Sequence, residues 1–176
     1  LLLDGDFVQA EKLIQESLTR ATDTNYLSEN WGHMNKLGQL AVFRGNYQKA
    51  SRLLIEGYRL YEEDRNPSRP EFVMLGIIEW KQGQYSKMRQ FLHRYIRWMQ
   101  ESDFDIMNTY LLYDTSLAFV IATLLLAYDR ERARAVAVLS LAFACASHTG
   151  WMEKWSLLNQ LRTDLENELG EKAYQE

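Results

Sequence analysis

Residues Gly38 to Ala50 read GQLAVFRGNYQKA, and the fold is decided by what that stretch does. Glycine at 45 relieves the steric penalty of a tight turn between two antiparallel helices. Tyr47, two residues later, covers the elbow, and Ala50 lets the paired helix approach closely. Gly38 stands seven residues ahead of the turn glycine, on the preceding helix. Beyond Ala50, Leu53, Leu54 and Tyr58 form an apolar stripe at helical spacing.

The pattern recurs along the chain. DGDFVQA from Asp4, QGQYSKM from Gln82 and AYDRERA from Ala127 align without gaps on RGNYQKA from Arg44. The second position reads Gly5, Gly45, Gly83 and Tyr128, at intervals of 40, 38 and 45 residues, inside the range of helical solenoids. The fourth position reads Phe7, Tyr47, Tyr85 and Arg130; the alanine position reads Ala10, Ala50 and Ala133, and Met88 breaks it. Leu13, Ile14 and Leu18 follow the first turn, Phe91, Leu92 and Ile96 the third, and Gly76 precedes Gly83 as Gly38 precedes Gly45. Each hairpin then finds its missing core in the next, giving a row of small cores along an axis.

The register of Gly38, Gly45, Tyr47 and Ala50, repeated at Gly76, Gly83 and Tyr85, resembles the tetratricopeptide consensus. The resemblance implies an all-α, right-handed superhelix of antiparallel helix pairs. Its period near 40 exceeds the roughly 34 of the standard repeat, leaving extra residues such as Glu62 to Pro70 between pairs. In this the chain resembles the sensor superhelices at the C-terminal side of bacterial multidomain (STAND-type) ATPase regulators. The ending LENELGEKAYQE, from Leu165, is similar to the way such modules finish.

One domain is expected over residues 1–176, read as a piece of a longer protein, with repeats at about 1–26, 27–66, 67–104 and 105–149 and a cap over 150–176. Helices are expected near 6–22, 27–44, 46–62, 70–82, 84–101, 106–127 and 129–147. A last continuous helix is expected from about Gly150 to Leu169, closing the solenoid with Trp151, Trp155, Leu158, Leu161, Leu165 and Leu169 on its inner face. Pro67 and Pro70 mark an interhelix loop.

Composition narrows the function classes. A net charge of -4 and a pI near 5.5 give no global attraction to a polyanion, so no direct nucleic-acid binding is expected. The single cysteine, Cys145, excludes an intramolecular disulfide and a cysteine-based zinc site, and fits a reducing, cytoplasmic setting. The longest apolar run, Leu117 to Tyr128, has twelve residues, well under the roughly 20 needed to span a bilayer, so no membrane span is expected.

Candidate chemistry is sparse. Cys145 and His148 lie three residues apart, yet the small residues around Cys145 suit helix packing better than a nucleophile site. His33 and His93 fall in separate repeats without partners at metal-ligand spacing. Asp103, Asp105 and Asp114 form the nearest acidic grouping and read as loop and cap residues. Neither enzymatic activity nor a cofactor or metal is expected. Lys87, Arg89, His93, Arg94 and Arg97 make one helix basic, a solvated outer face or a surface for an acidic partner.

In superhelices of the kind resembled, the first helix of each pair lines the concave side. Carried over by register, the resemblance implies a groove of Asn35, Gln39, Val42 and Phe43, then Val73, Ile77, Trp80 and Lys81, then Thr115, Ala118, Ala122 and Leu125. Amides beside Phe43 and Trp80 suit a protein, peptide or small effector; the same aromatics equally suit packing between repeats. A C-terminal helix or a second copy, as in a homodimer, is expected to cover the apolar fourth repeat. The resemblance implies a non-catalytic ligand- or protein-binding sensor module of a bacterial signalling or transcriptional regulator, with a passive interaction scaffold as the alternative.

Overall fold

A computed structural model describes residues 2–23, 27–63, 70–101, 109–146 and 148–170. Among them every regular element is helical: α1 (Phe7–Asp23), α2 (Leu27–Phe43), α3 (Tyr47–Glu63), α4 (Pro70–Lys81), α5 (Tyr85–Glu101), α6 (Thr109–Tyr128), α7 (Arg132–Cys145), α8 (Gly150–Glu153) and α9 (Ser156–Leu169). No described helix is long and apolar enough to cross a membrane.

The repeated glycines end helices. Gly5, Gly45 and Gly83 have φ of +76°, +74° and +74°, a left-handed conformation that glycine adopts without a Cβ penalty. The Gly45 N–H donates to the Val42 carbonyl at 2.9 Å and the Asn46 N–H to Ala41 at 2.8 Å, the two bonds that close a helix C-terminus before a reversal. Gly83 and Gln84 repeat the pair on Trp80 and Glu79 at 2.9 and 2.8 Å. The next residue then starts the following helix: the Asp6 carboxylate accepts from the Gln9 N–H and the Asn46 side chain from the Lys49 N–H, both at 3.2 Å.

The fourth turn corrects the sequence register. Its left-handed residue is Arg130, φ +63°, and Arg130 and Glu131 donate to Ala127 and Leu126 as their counterparts do. Arg130, not Tyr128, therefore stands where the glycines stand. The alanine position moves with it to Ala135, fully buried, while Ala133 is exposed. Tyr128 resembles an elbow residue in the alignment only because the turn lies two residues later.

The pairs α2–α3, α4–α5 and α6–α7 pack in chain order; α2 also touches α4, and α4 touches α6. Close approach within a pair has a local cause. A Cβ on Gly38 would stand 2.7 Å from the Leu54 side chain, and one on Gly57 would stand 3.3 Å from the Trp31 carbonyl oxygen. The core is not a row of small cores. One cluster runs from Ala41 through α4–α7 to Leu165, and a smaller one of Ala10, Leu37 and Leu40 lies under α1.

The C-terminal segment explains that continuity. The single last helix expected from Gly150 is two, broken where Trp155 adopts an extended ψ of 109°. The Asn159 side chain donates to the Glu153 carbonyl at 2.8 Å and so satisfies a group the break frees. Helix α9 lies on α6 and α7, with Leu158, Leu161 and Leu165 buried and Asn159, Asp164 and Glu168 exposed. The short α8 instead returns to the first turn, where Trp151 and Trp155 bury completely against Phe43.

Candidate functional site

The predicted groove residues separate into two places. Asn35, Gln39, Phe43 and Ile77 are buried, as are Val42, Val73, Ala118 and Leu125; Thr115 and Ala122 are half-buried. Trp80 is half-buried and Lys81 exposed. Buried residues cannot meet an incoming ligand without displacing whatever covers them, and the cover here is the chain itself. Phe43 stacks on Phe7 at 5.3 Å and meets Trp151 and Trp155 at 5.4 and 4.9 Å.

Beneath these rings runs a polar chain. The Tyr113 hydroxyl donates to Gln39 Oε1 at 3.2 Å, and Gln39 Nε2 donates to Asn35 Oδ1 at 3.4 Å. The amides predicted to face a ligand thus satisfy one another, as buried polar groups must. Burial pushes the Tyr113 hydroxyl well above its ordinary pKa, and the neighbouring Asp114 carboxylate raises it further. Trp151 covers Tyr113 edge-on at 5.1 Å. The Trp155 indole N–H meets no acceptor among the described residues, so packing alone holds that ring.

Trp80 and Lys81 belong to an accessible edge where helix pairs turn. The Lys81 ammonium lies 5.1 Å from the Trp80 ring centroid and 5.8 Å from that of Tyr47, within cation–π reach of both. At the following turns Tyr85 stacks on Tyr128 at 3.7 Å, and Tyr128 is 52% exposed. Burial raises the Tyr47 pKa. The sequence reading missed Tyr85 and Tyr128 as partners. The recurrence of aromatics beside the turns was the available signal, and the misplaced fourth turn hid it.

A second open feature lies between α1 and α2, a groove of about 430 Å³ lined by Leu13, Ile14, Ser17, Trp31, His33 and Lys36. Ser17 Oγ and His33 Nε2 are 2.7 Å apart across it. That distance suits a hydrogen bond, but acyl transfer also needs N–H donors aimed at a developing oxyanion. Both residues lie mid-helix, where the backbone N–H groups are committed to the helix ladder.

The other candidates disperse. Cys145 is half-buried, while His148 is exposed and turns its Nδ1 toward Asp4 at 3.9 Å. His93 is exposed on α5. Asp103 and Asp105 lie outside the described residues; Asp114 is no cap residue but sits inside α6, buried. Among the described residues no three His, Cys, Asp or Glu side chains gather where they could hold a metal ion. The basic face of α5 is partly engaged: Arg89 holds Asp129 at 2.5 Å, Lys87 faces Glu79 at 3.6 Å, and Arg94 lies over Phe72 and Phe91.

The chain matches no family model, no curated protein and no solved structure at a significant level.

Proposed function

We propose that this chain is a non-catalytic, partner-binding module built as a tetratricopeptide-like superhelix, serving a bacterial signalling or transcriptional regulator in the cytoplasm. The observation that carries this reading is the division of the predicted groove. Its amides and Phe43 complete the interior, whereas Trp80 and Lys81 stay accessible beside Tyr47. Aromatic rings held rigid by packing, with a cation among them, suit the capture of a peptide or protein segment by apolar contact and hydrogen bonding. The helix pairs packing in chain order and the shared turn geometry support the repeat assignment.

In this reading the partner engages the turn edge, and the Trp151–Trp155 plug couples the first pair to the last, so binding at the edge biases how the ends sit together. Trp80→Ala with Lys81→Glu tests the site within the parent regulator. The double variant should keep its helical signal and lose effector- or partner-dependent change in hydrogen exchange across α2 and α4. An unaltered response in that variant would remove the turn edge from the function. Partner-protected but effector-independent exchange in the wild type would favour the passive scaffold.

A further inference from the structure

Counting from each left-handed turn residue exposes an asymmetry among the four hairpins. Five residues on, Ala10, Ala50, Met88 and Ala135 are all buried. Nine residues on, Leu54, Leu92 and Leu139 are buried but Ile14 is only half-buried; twelve on, Gly57, Tyr95 and Ala142 are buried but Ser17 is exposed. Leu13 beside them is 44% exposed. Helix α1 therefore carries an apolar stripe like those of α3, α5 and α7, but beyond Ala10 it is covered on one side only: Ile14 and Leu18 are half-buried against the Leu37 and Leu40 cluster, while Leu13 and Ser17 stay exposed.

The covering element is known for the other three. Helix α2 covers α3, α4 covers α5 and α6 covers α7. Gly38 of α2 meets Leu54, and the Trp31 carbonyl of α2 meets Gly57, the counterparts of Ile14 and Ser17. The residue seven positions before the turn is small each time: Gly38, Gly76 and Thr123. Leu2 to Gly5 have the geometry of the end of such a helix, for the Gly5 N–H donates to the Leu2 carbonyl at 3.1 Å as Gly45 does to Val42.

We propose that the groove between α1 and α2 is the seat of one further α-helix, laid antiparallel to α1, leading into Leu2 and bearing a glycine- to threonine-sized residue seven positions before Gly5. Its apolar face rests on Leu13, Ile14 and Trp31, and its backbone passes close to Ser17. The groove is thus the site of a helix rather than of a small molecule, and the Ser17–His33 hydrogen bond lies on its floor.

A copy of residues 27–41 fused ahead of Leu2, in place of Leu1, tests the seat, because Leu2 and Val42 hold the same place before their turns. The graft should slow hydrogen exchange of the Ile14 and Ser17 amides roughly tenfold and raise the melting temperature. Gly38→Leu in the grafted copy should abolish both effects. Ser17→Trp should leave the 176-residue chain folded, short only of the hydrogen bond to His33, and cancel the protection in the grafted one. Unchanged exchange at Ile14 and Ser17 in a folded graft would overturn the proposal, as would an ungrafted chain dimeric through a face that Ser17→Trp disrupts. Should the graft fail to fold, a free peptide of residues 27–43 titrated into the 176-residue chain should shift the Trp31 indole resonance. No shift at saturating peptide would overturn the proposal equally.

Discussion

The Trp151 backbone N–H donates to the Leu3 carbonyl oxygen at 3.0 Å, tying the C-terminal segment to the first turn. The contact exists because Gly150 lacks a side chain. A Cβ there would stand 2.6 Å from the Asp4 carbonyl oxygen and 2.7 Å from its carbon, and backbone cannot swing aside as a side chain can. Gly150→Ala should therefore cost about 1–3 kcal/mol and loosen Trp151 from Phe43 and Tyr113. The check is a red-shifted tryptophan emission together with a lower denaturation midpoint. Gly32→Ala is the control: its added Cβ meets nothing within 4 Å, so helix propensity alone should stabilise it by about 0.5–1 kcal/mol.

Arg130 occupies the conformation that glycine occupies at the other three turns, with φ +63°. An L-residue there carries a left-handed penalty of about 1 kcal/mol. Arg130→Gly should recover roughly 0.5–1 kcal/mol, the remainder being offset by the greater freedom of an unfolded glycine. A raised melting temperature, with unchanged helical content, would bear this out; Gly45→Ala should move it the opposite way.

Those two turns show what the sequence discloses and what it hides. Gly45 and Gly83 announce their turns because the left-handed backbone selects for glycine, and the helix pairs follow from them. Arg130 makes the same turn without the signal, so the alignment slid by two residues and took Ala133 for Ala135. The break at Trp155 carries no glycine or proline either. The spacing of Trp151, Trp155 and Leu158 is that of an unbroken helix, and the interruption is favoured by tertiary packing of both indoles against Phe43 and by the Asn159 side chain on the Glu153 carbonyl. The candidate site was half legible for the same reason. Register located the first helices of each pair, but no local pattern reveals that Tyr113 of α6 reaches Gln39 or that Trp151 of α8 packs over Phe43 and Tyr113.

Gly38 offers a test of helix approach inside a pair. A methyl group at this position would press on Leu54 Cδ2 and Cγ, both at 2.7 Å, and Leu54 is itself fully buried. Gly38→Ala should destabilise by about 1–3 kcal/mol despite alanine's better helix propensity. Leu54→Ala alone leaves a cavity and should cost about 2–5 kcal/mol. In the double variant the methyl enters space that Leu54 vacates, so the combined loss should fall below the sum. Urea denaturation of all four proteins gives the coupling, and strict additivity would mean that these residues do not compete for the same volume.

Deprotonation of the buried tyrosines should weaken the fold in alkali. Burial chiefly, and the Asp114 charge next, raise the pKa of Tyr113 and of Tyr95 above the ordinary value of about 10. The folded state then holds these protons at a pH where the unfolded chain has released them. Their contribution is therefore fully present below pH ~10 and declines as pH rises above it toward the folded-state values. Tyr113→Phe also removes the donor to Gln39 Oε1, leaving a buried acceptor short of a partner at a cost of about 1–3 kcal/mol near neutrality. Two signatures should thus separate: Tyr113→Phe lowers stability at pH 7, while Tyr95→Phe with Tyr113→Phe flattens the fall between pH 9 and 11, roughly the window around the ordinary tyrosine pKa. Denaturation midpoints measured across that window for wild type and both variants decide it, and parallel declines would place the alkaline sensitivity elsewhere in the chain.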